Sequence, residues 1–295
     1  MRTVPAKTIL SAYRPGGWFG THYHMNIYRG CCHGCIYCDS RSDCYHVDHF
    51  DEVRAKENAL AILRDDLRRK IKTGVVATGS MSDPYNPFER QEELTRHALE
   101  LLSAYGFGAA IATKSDLIVR DVDVLQEIAV HSPVLCKLTL TTWDDGLAAK
   151  LEPHAPAPSA RLEAIRRLSS AGLFAGVLLM PVLPYLEDNE ENIRQIIRRA
   201  AAAGARFIYP AFGVTLRQNQ REYFFQRLEE AFPGQGLKER YIRRFGNAYE
   251  CRSPRAAALW ELLREECARA GLLYDMRDIV RAYQQGYGDG QIRFY

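Results

Sequence analysis

From residue 53 to residue 211 the chain repeats one pattern: apolar side chains at helical spacing, then a short apolar or β-branched run, then polar residues. The first helical stretch, 53–72, sets Leu60, Leu63, Leu67 and Ile71 on one face and leads into Val75 and Val76, ending at Gly79. Stretches 90–105, 121–131, 159–171 and 189–203 then precede the runs Gly108 to Thr113, Val134 to Leu140, Phe174 to Met180 and Arg206 to Ala211. With Met25 to Tyr28 as a first strand, the spacing predicts six β/α units. Strands separated by helices of this length pair in parallel through right-handed crossovers, which leaves an open doubly wound sheet or a full or partial barrel.

Six units suit an α/β fold of partial (β/α)6 barrel, TIM type. The glycine-rich phosphate loop of a dinucleotide fold is missing after the first strand, where cysteines stand instead. In a barrel the loops after the C-terminal strand ends form the reaction face, so Cys31 to Cys38, Ser80 to Asp83, Lys114 and Thr139 to Thr142 are expected to converge there. Beyond residue 214 the rhythm breaks. Leu216 to Phe232 and Pro254 to Gly271 read as amphipathic helices separated by the basic, aromatic stretch KERYIRRFGNAYECRSP. The expected division is an N-terminal segment over 1–19, the barrel over 20–214 and a helical C-terminal extension over 215–295.

Five of the eight cysteines lie between Cys31 and Cys44, denser than a disulfide framework for a chain of 295 residues would require. No apolar run is long enough to span a membrane, and the opening MRTVPAKTILSAYRPGG lacks the apolar core of a signal peptide, so a cytoplasmic protein without a membrane partner is expected. In a reducing compartment such clustering points to metal. The spacing Cys31-x3-Cys35-x2-Cys38 can direct three thiolates at three corners of an iron–sulfur cube, leaving one iron without a protein ligand. A closed zinc site would need a fourth ligand, which Cys32, His33, Cys44 or His46 could supply.

MNIYRGCCHGCIYCDSRS, with CxxxCxxC after the first strand of a β/α barrel and the aromatic Tyr37 before the third cysteine, resembles the radical S-adenosylmethionine superfamily. The resemblance implies a 4Fe-4S cluster held by Cys31, Cys35 and Cys38, with S-adenosylmethionine chelating the open iron. One electron from a flavodoxin- or ferredoxin-like reductant then cleaves the cofactor to a 5′-deoxyadenosyl radical, which abstracts hydrogen from substrate. It also implies cofactor contacts: Tyr37 near the adenine, Gly79 and Ser80 on the methionyl amino group with Asp83 a further candidate in the same turn, and the Lys114 ammonium on the carboxylate; after the fourth strand Thr139, Thr141 and Thr142 offer hydroxyls for ribose or carboxylate.

Across residues 20–190 the segments YRGCCHGCIYC, ATGSMSDPYNP, IATKSDLIVRDVDVL, LEPHAPAPSARLEAIRRLSSAG and VLLMPVLP resemble, in order, the spore photoproduct lyase-like (DNA repair photolyase-like) group. Two positions depart from it. Ser80 stands where the lyase has its hydrogen-donating cysteine, and a serine O–H bond is too strong to quench a carbon radical readily. Asp39 stands where the lyase has a tyrosine. The resemblance therefore implies the same radical initiation with a different substrate or quenching scheme, and Cys44 and Cys251 become the candidate thiol donors.

The net charge of +3 leaves a polyanionic partner undecided. Arginine supplies 31 of the 39 basic residues, and Arg240, Arg243, Arg244, Arg252 and Arg255 beside Tyr241, Phe245 and Tyr249 form a candidate grip on nucleic acid. The leading expectation is a monomeric enzyme acting on nucleic acid or a related substrate. A peptide or small metabolite is the alternative substrate, and a non-catalytic zinc or iron–sulfur nucleic-acid-binding module is the rival of a different class.

Overall fold

The computed structural model describes residues 1–13, 18–79 and 81–287. At its centre six strands run parallel in chain order: β2 (Tyr23–Met25), β3 (Val75–Thr78), β4 (Gly108–Thr113), β5 (Val134–Thr139), β6 (Phe174–Leu179) and β7 (Phe207–Pro210). An added strand, β1 (Leu10–Ala12), pairs antiparallel with the outer edge of β2. Sequential order without interleaving is the connectivity of barrel staves; here the sheet stays open, with β1 and β7 as its edges. Among the described residues, α1 (Ala59–Arg68), α2 (Leu94–Ala104), α3 (Val122–Ala129), α4 (Pro158–Ser170) and α5 (Glu190–Ala202) return the chain between strands, with a shorter helix, Asp145–Leu151, ahead of α4.

Successive strand residues point to opposite faces. Val76, Ile111, Cys136, Leu138, Val177 and Leu179 pack outward on the helices. Val75, Ala110, Ala112, Leu135 and Leu178 point into the lumen, where Phe19, Phe207, Ile279 and Tyr283 join them. Burial on both faces is why these strands read as continuous apolar runs. One inward residue is a lysine: Lys137 is fully buried, with its Nζ 3.5 Å from the Ala110 carbonyl and 4.8 Å from the centre of the Phe19 ring.

Several boundaries differ from the sequence reading. The first parallel strand is Tyr23–Met25, ahead of the expected Met25 to Tyr28. After Asn26 the chain leaves the main sheet, and Tyr28–Arg29 instead pairs with Arg54–Lys56, which in turn pairs with Arg2–Val4. This small sheet clamps both ends of the cysteine-bearing loop. Because Arg54–Lys56 is a strand and Asn58 adopts a left-handed φ of 52°, α1 begins only at Ala59. Likewise Glu93, at φ 49°, separates α2 from the single turn Glu89–Glu92.

Past β7 the ribbon β8 (Gly213–Thr215) and β9 (Glu250–Arg252) flanks the helices α6 (Gln220–Ala231), α7 (Leu237–Phe245), α8 (Ala256–Ala270) and α9 (Met276–Gln284). The sequence reading anticipated α6 and α8. The helix α7 was hidden in the basic, aromatic stretch, where buried Tyr241 sets its ring 5.3 Å from that of Phe224. Leu273 extends the ladder at the open edge of β7, donating to the Arg206 carbonyl and accepting from the Ile208 amide. Ile279 and Tyr283 of α9 fill the lumen, and the Tyr283 hydroxyl donates to the Phe19 carbonyl at 2.7 Å. Among the described residues no helix is long and apolar enough to cross a membrane.

Candidate active site

The loop between Arg29 and Arg54 presents three cysteines to the C-terminal ends of the strands. Its entry depends on Gly30, whose φ is +80° and where a Cβ would lie 2.4 Å from the Glu52 carbonyl oxygen, so only glycine fits. Cys31, Cys35 and Cys38 line one cavity of about 270 Å³ together with Gly79 and Asp83 after β3, Thr113 and Lys114 at the end of β4, and Thr139 at the end of β5. Trp18, His33, Phe50 and Met180 complete much of its wall. The separate strand ends therefore do meet at one face.

Burial raises the pKa of all three thiols, that of Cys31 to about 12. For Cys35 and Cys38 the Lys114 ammonium opposes this shift, lowering the cost of a thiolate. Metal coordination removes the proton outright, so a cation beside buried thiols suits a site that binds metal as thiolate. Among the described residues no three His, Cys, Asp or Glu side chains converge on a point as a mononuclear ion requires. Three thiols lining one cavity fit the donor set of a cluster with a free corner.

Beneath the loop lies a buried charge network. Glu152 accepts from the Tyr37 hydroxyl and from the Arg161 guanidinium, and Lys114 Nζ stands 3.8 Å away. Arg161 also donates to the carbonyls of Pro156 at 2.7 Å and Thr139 at 2.9 Å. Burial would raise the Glu152 pKa, but Arg161, Lys114 and Tyr37 outweigh it and hold the carboxyl below its ordinary value. A second buried carboxylate, Asp83, lies across the cavity. It accepts from the Thr113 hydroxyl at 2.6 Å and from the amides of Lys114 and Tyr85 at 2.8 and 2.9 Å.

A second cavity, of about 610 Å³, adjoins the first through Cys38, Ser40 and Met180. Tyr37, Asp39, Phe212, Thr215, Arg252 and Trp260 are among its walls, so β8, β9 and α8 contribute to it. Asp39 ties the cysteine loop to this region: it accepts from Arg217 Nε at 3.0 Å, from the Thr215 hydroxyl at 3.2 Å and from the Tyr45 hydroxyl at 2.7 Å. Gln220 of α6 donates to the Tyr37 carbonyl.

The expected site residues separate into two groups. Cys31, Cys35, Cys38, Gly79, Asp83, Lys114 and Thr139 share the first cavity, and Tyr37 and Cys38 the second. The geometry adds a packing reason for Gly79: at φ +92° its Cβ would meet the Ala112 carbonyl oxygen at 1.8 Å. Thr142 lines neither cavity; its hydroxyl accepts from the Asp144 amide and shapes the turn after β5. Ser80 lies outside the described residues.

The two candidate donor thiols also part company with the site. Cys44 is exposed and lines neither cavity. Cys251 is corrected to a core residue: its place in β9 turns it inward, fully buried in the apolar cluster around Phe224 and Tyr241, while its neighbours Glu250 and Arg252 face the second cavity. Of the candidate nucleic-acid residues, Arg243 and Arg244 are exposed, Arg240 sits 4.1 Å from the centre of the Tyr185 ring, and Arg255 lies 3.7 Å from Glu190. Sequence reading gave His33 only a ligand role and gave Glu152 and Arg161 none.

Residues 25–204 match the family model of the Radical SAM superfamily. The chain is 36% identical over 231 residues to an uncharacterized protein of Mycobacterium tuberculosis (strain ATCC 25618 / H37Rv), covering 76% of this chain and 68% of that one. It is 32% identical over 174 residues to an uncharacterized protein of Methanocaldococcus jannaschii, covering 58% and 64%. Among solved structures it resembles spore photoproduct lyase complexed with dinucleoside spore photoproduct, with a TM-score of 0.64 at 16% identity over 89% of this chain and 77% of the lyase. A lyase mutant with bound AdoMet and the same dinucleoside gives 0.63 at 16% identity over 86% and 77%. At these identities the structural likeness speaks for the fold.

Proposed function

The chain belongs to the radical SAM superfamily, whose cofactors are a 4Fe-4S cluster and S-adenosylmethionine, and on that premise we propose that Cys31, Cys35 and Cys38 are the cluster ligands of an enzyme that acts on nucleic acid. The observation that carries the reading is the meeting of these three cysteines with Lys114, Asp83 and Thr139 around one cavity at the C-terminal strand ends. Bound there, the cofactor pair would supply a 5′-deoxyadenosyl radical after reduction by a flavodoxin- or ferredoxin-like donor.

The protein's own part is to bind, orient and shield. Lys114, fixed by Glu152 and by the Tyr37 ring 5.5 Å away, offers an ammonium to the cofactor carboxylate. Thr139 offers a hydroxyl beside it, and buried side chains in the wall of the first cavity, Cys35, Asp83 and Thr113 among them, limit the water around a reactive radical. Nucleic acid as substrate is supported by the likeness in fold to a lyase that has been solved with a dinucleoside.

The test is anaerobic reconstitution followed by iron and sulfide analysis and 5′-deoxyadenosine release with dithionite. Cys35→Ala should abolish both cluster absorbance and release, whereas Cys267→Ala, a core change within α8, should retain both. Full release from the Cys35 variant would overturn the ligand assignment.

A further inference from the structure

Outside the two cavities, several cations gather on the small sheet that clamps the cysteine loop. Its register sets Arg2 opposite Arg54, and Arg54 opposite Arg29. Residues in register point to the same face, as do residues two apart on one strand, so Arg2, Arg54, Arg29 and Lys56 share a face. Like charges placed opposite each other weaken a sheet. Only Arg2 has a carboxylate partner among the described residues, Glu52 at 3.4 Å. Arg29 and Arg54 donate to the backbone carbonyls of His46 and Asp48, which fix their direction without neutralising them.

Below this row is a notch of about 220 Å³ walled by Asn26, Arg29, Tyr45, Lys56 and Met81. The Lys56 pKa is lowered by burial and by the Arg29 charge, the sign of two cations held together without an acid. Met81 also walls the cysteine-lined cavity, so the notch and that cavity are neighbours on either side of one side chain.

The geometry points to a binding rail for the phosphodiester backbone of nucleic acid on this face, with the notch holding the phosphate next to the nucleotide presented to the cysteine-lined cavity. Strands spaced about 4.8 Å apart make the arginine row roughly 10 Å long, enough to meet two or three successive phosphates. Guanidinium groups suit phosphate oxygens, and the rail reads no base, so it would position a strand without selecting its sequence. This inference rests on nucleic acid being the substrate class.

The test is fluorescence anisotropy of a short fluorescein-labelled single-stranded oligodeoxynucleotide with anaerobically reconstituted protein across a salt series. The double variant Arg2→Gln/Lys56→Gln, which keeps the two carbonyl bonds of Arg29 and Arg54, should weaken binding about tenfold and lower the slope of log affinity against log salt by about 2, near one per lost phosphate contact. Lys56→Arg should retain the affinity. Uncoupled 5′-deoxyadenosine release should be the same in all three proteins. Unchanged affinity and slope in the double variant would overturn the rail, as would a loss confined to Arg243→Gln/Arg244→Gln on α7, with the nucleic-acid reading left standing. An absence of oligonucleotide binding by the unaltered protein that still releases 5′-deoxyadenosine would overturn both the rail and the substrate class.

Discussion

His33 Nε2 lies 3.1 Å from Asp83 Oδ2, joining the middle of the cysteine loop to the segment after β3. Both side chains are buried, and the Thr113 hydroxyl and two backbone amides also point at the same carboxylate. The loop that carries the cysteines is thus anchored at its centre as well as at its clamped ends.

Asp83→Asn should loosen that anchor. Asparagine keeps the size but loses the charge and turns one donor toward other donors, a change that costs about 3 kcal/mol or more at a buried charged site. We expect a lower urea midpoint for the apoprotein and fewer irons retained per chain after reconstitution. Unaltered stability and iron content would mean that the loop holds its shape without this carboxylate.

Glu152→Gln removes the negative centre between Arg161, Lys114 and Tyr37. Buried Arg161 and half-buried Lys114 then face each other uncompensated, which should destabilise the protein by about 3 kcal/mol. Adding Arg161→Met should recover part of that loss, because the pair is replaced together. Denaturant unfolding of the two variants measures the difference, and a double variant no more stable than the single one would speak against this account.

Lys137 predicts a pH dependence. Burial lowers its pKa from 10.5 to about 7, so between those values the unfolded chain holds a proton that the folded chain has released. Stability therefore rises with pH across that window, and below about 7 the penalty is complete, at most ~5 kcal/mol. Lys137→Met should be more stable than the unaltered protein at neutral pH, with the gap closing toward pH 10.5. A gap independent of pH would show that the lysine is charged in the folded lumen.

Gly79→Ala and Gly172→Ala separate two reasons for a glycine. Both positions have positive φ, but a Cβ at 79 would overlap the Ala112 carbonyl whereas none of the surroundings comes within 4 Å at 172. The change at 172 should cost only about 1 to 2 kcal/mol of backbone strain. That at 79 should prevent β3 and β4 from closing together, leaving little soluble protein. Comparable soluble yields and melting temperatures would contradict the overlap.

Much of this could be read from the sequence, for identifiable reasons. A strand buried on both faces and a helix with one apolar side leave unmistakable patterns, so Gly108 to Thr113 coincides with β4 and the polar residues after each strand could be sent to one face. The spacing of Cys31, Cys35 and Cys38 carried the site because a tight loop fixes directions locally. Partners set by tertiary proximity left no such mark. Nothing near His33 in the chain signals Asp83, and nothing in the spacing of Glu152 and Arg161 signals that folding buries them against each other. Cys251 misled for the opposite reason: its basic and aromatic neighbours suited a redox-active or substrate-facing thiol, but alternation along a short ribbon turned it inward. The left-handed residues Asn58 and Glu93 moved two helix starts that apolar spacing alone had placed too early.

The hydroxyl of Tyr283 resting on the Phe19 carbonyl has a consequence for biosynthesis. During translation all six parallel strands emerge before α9, so the aromatic lumen around Phe174 and Phe207 stays unsealed while the ribosome completes the later helices. Until that last plug arrives the nascent chain exposes an apolar channel, and this interval is when it would most need a chaperone's protection.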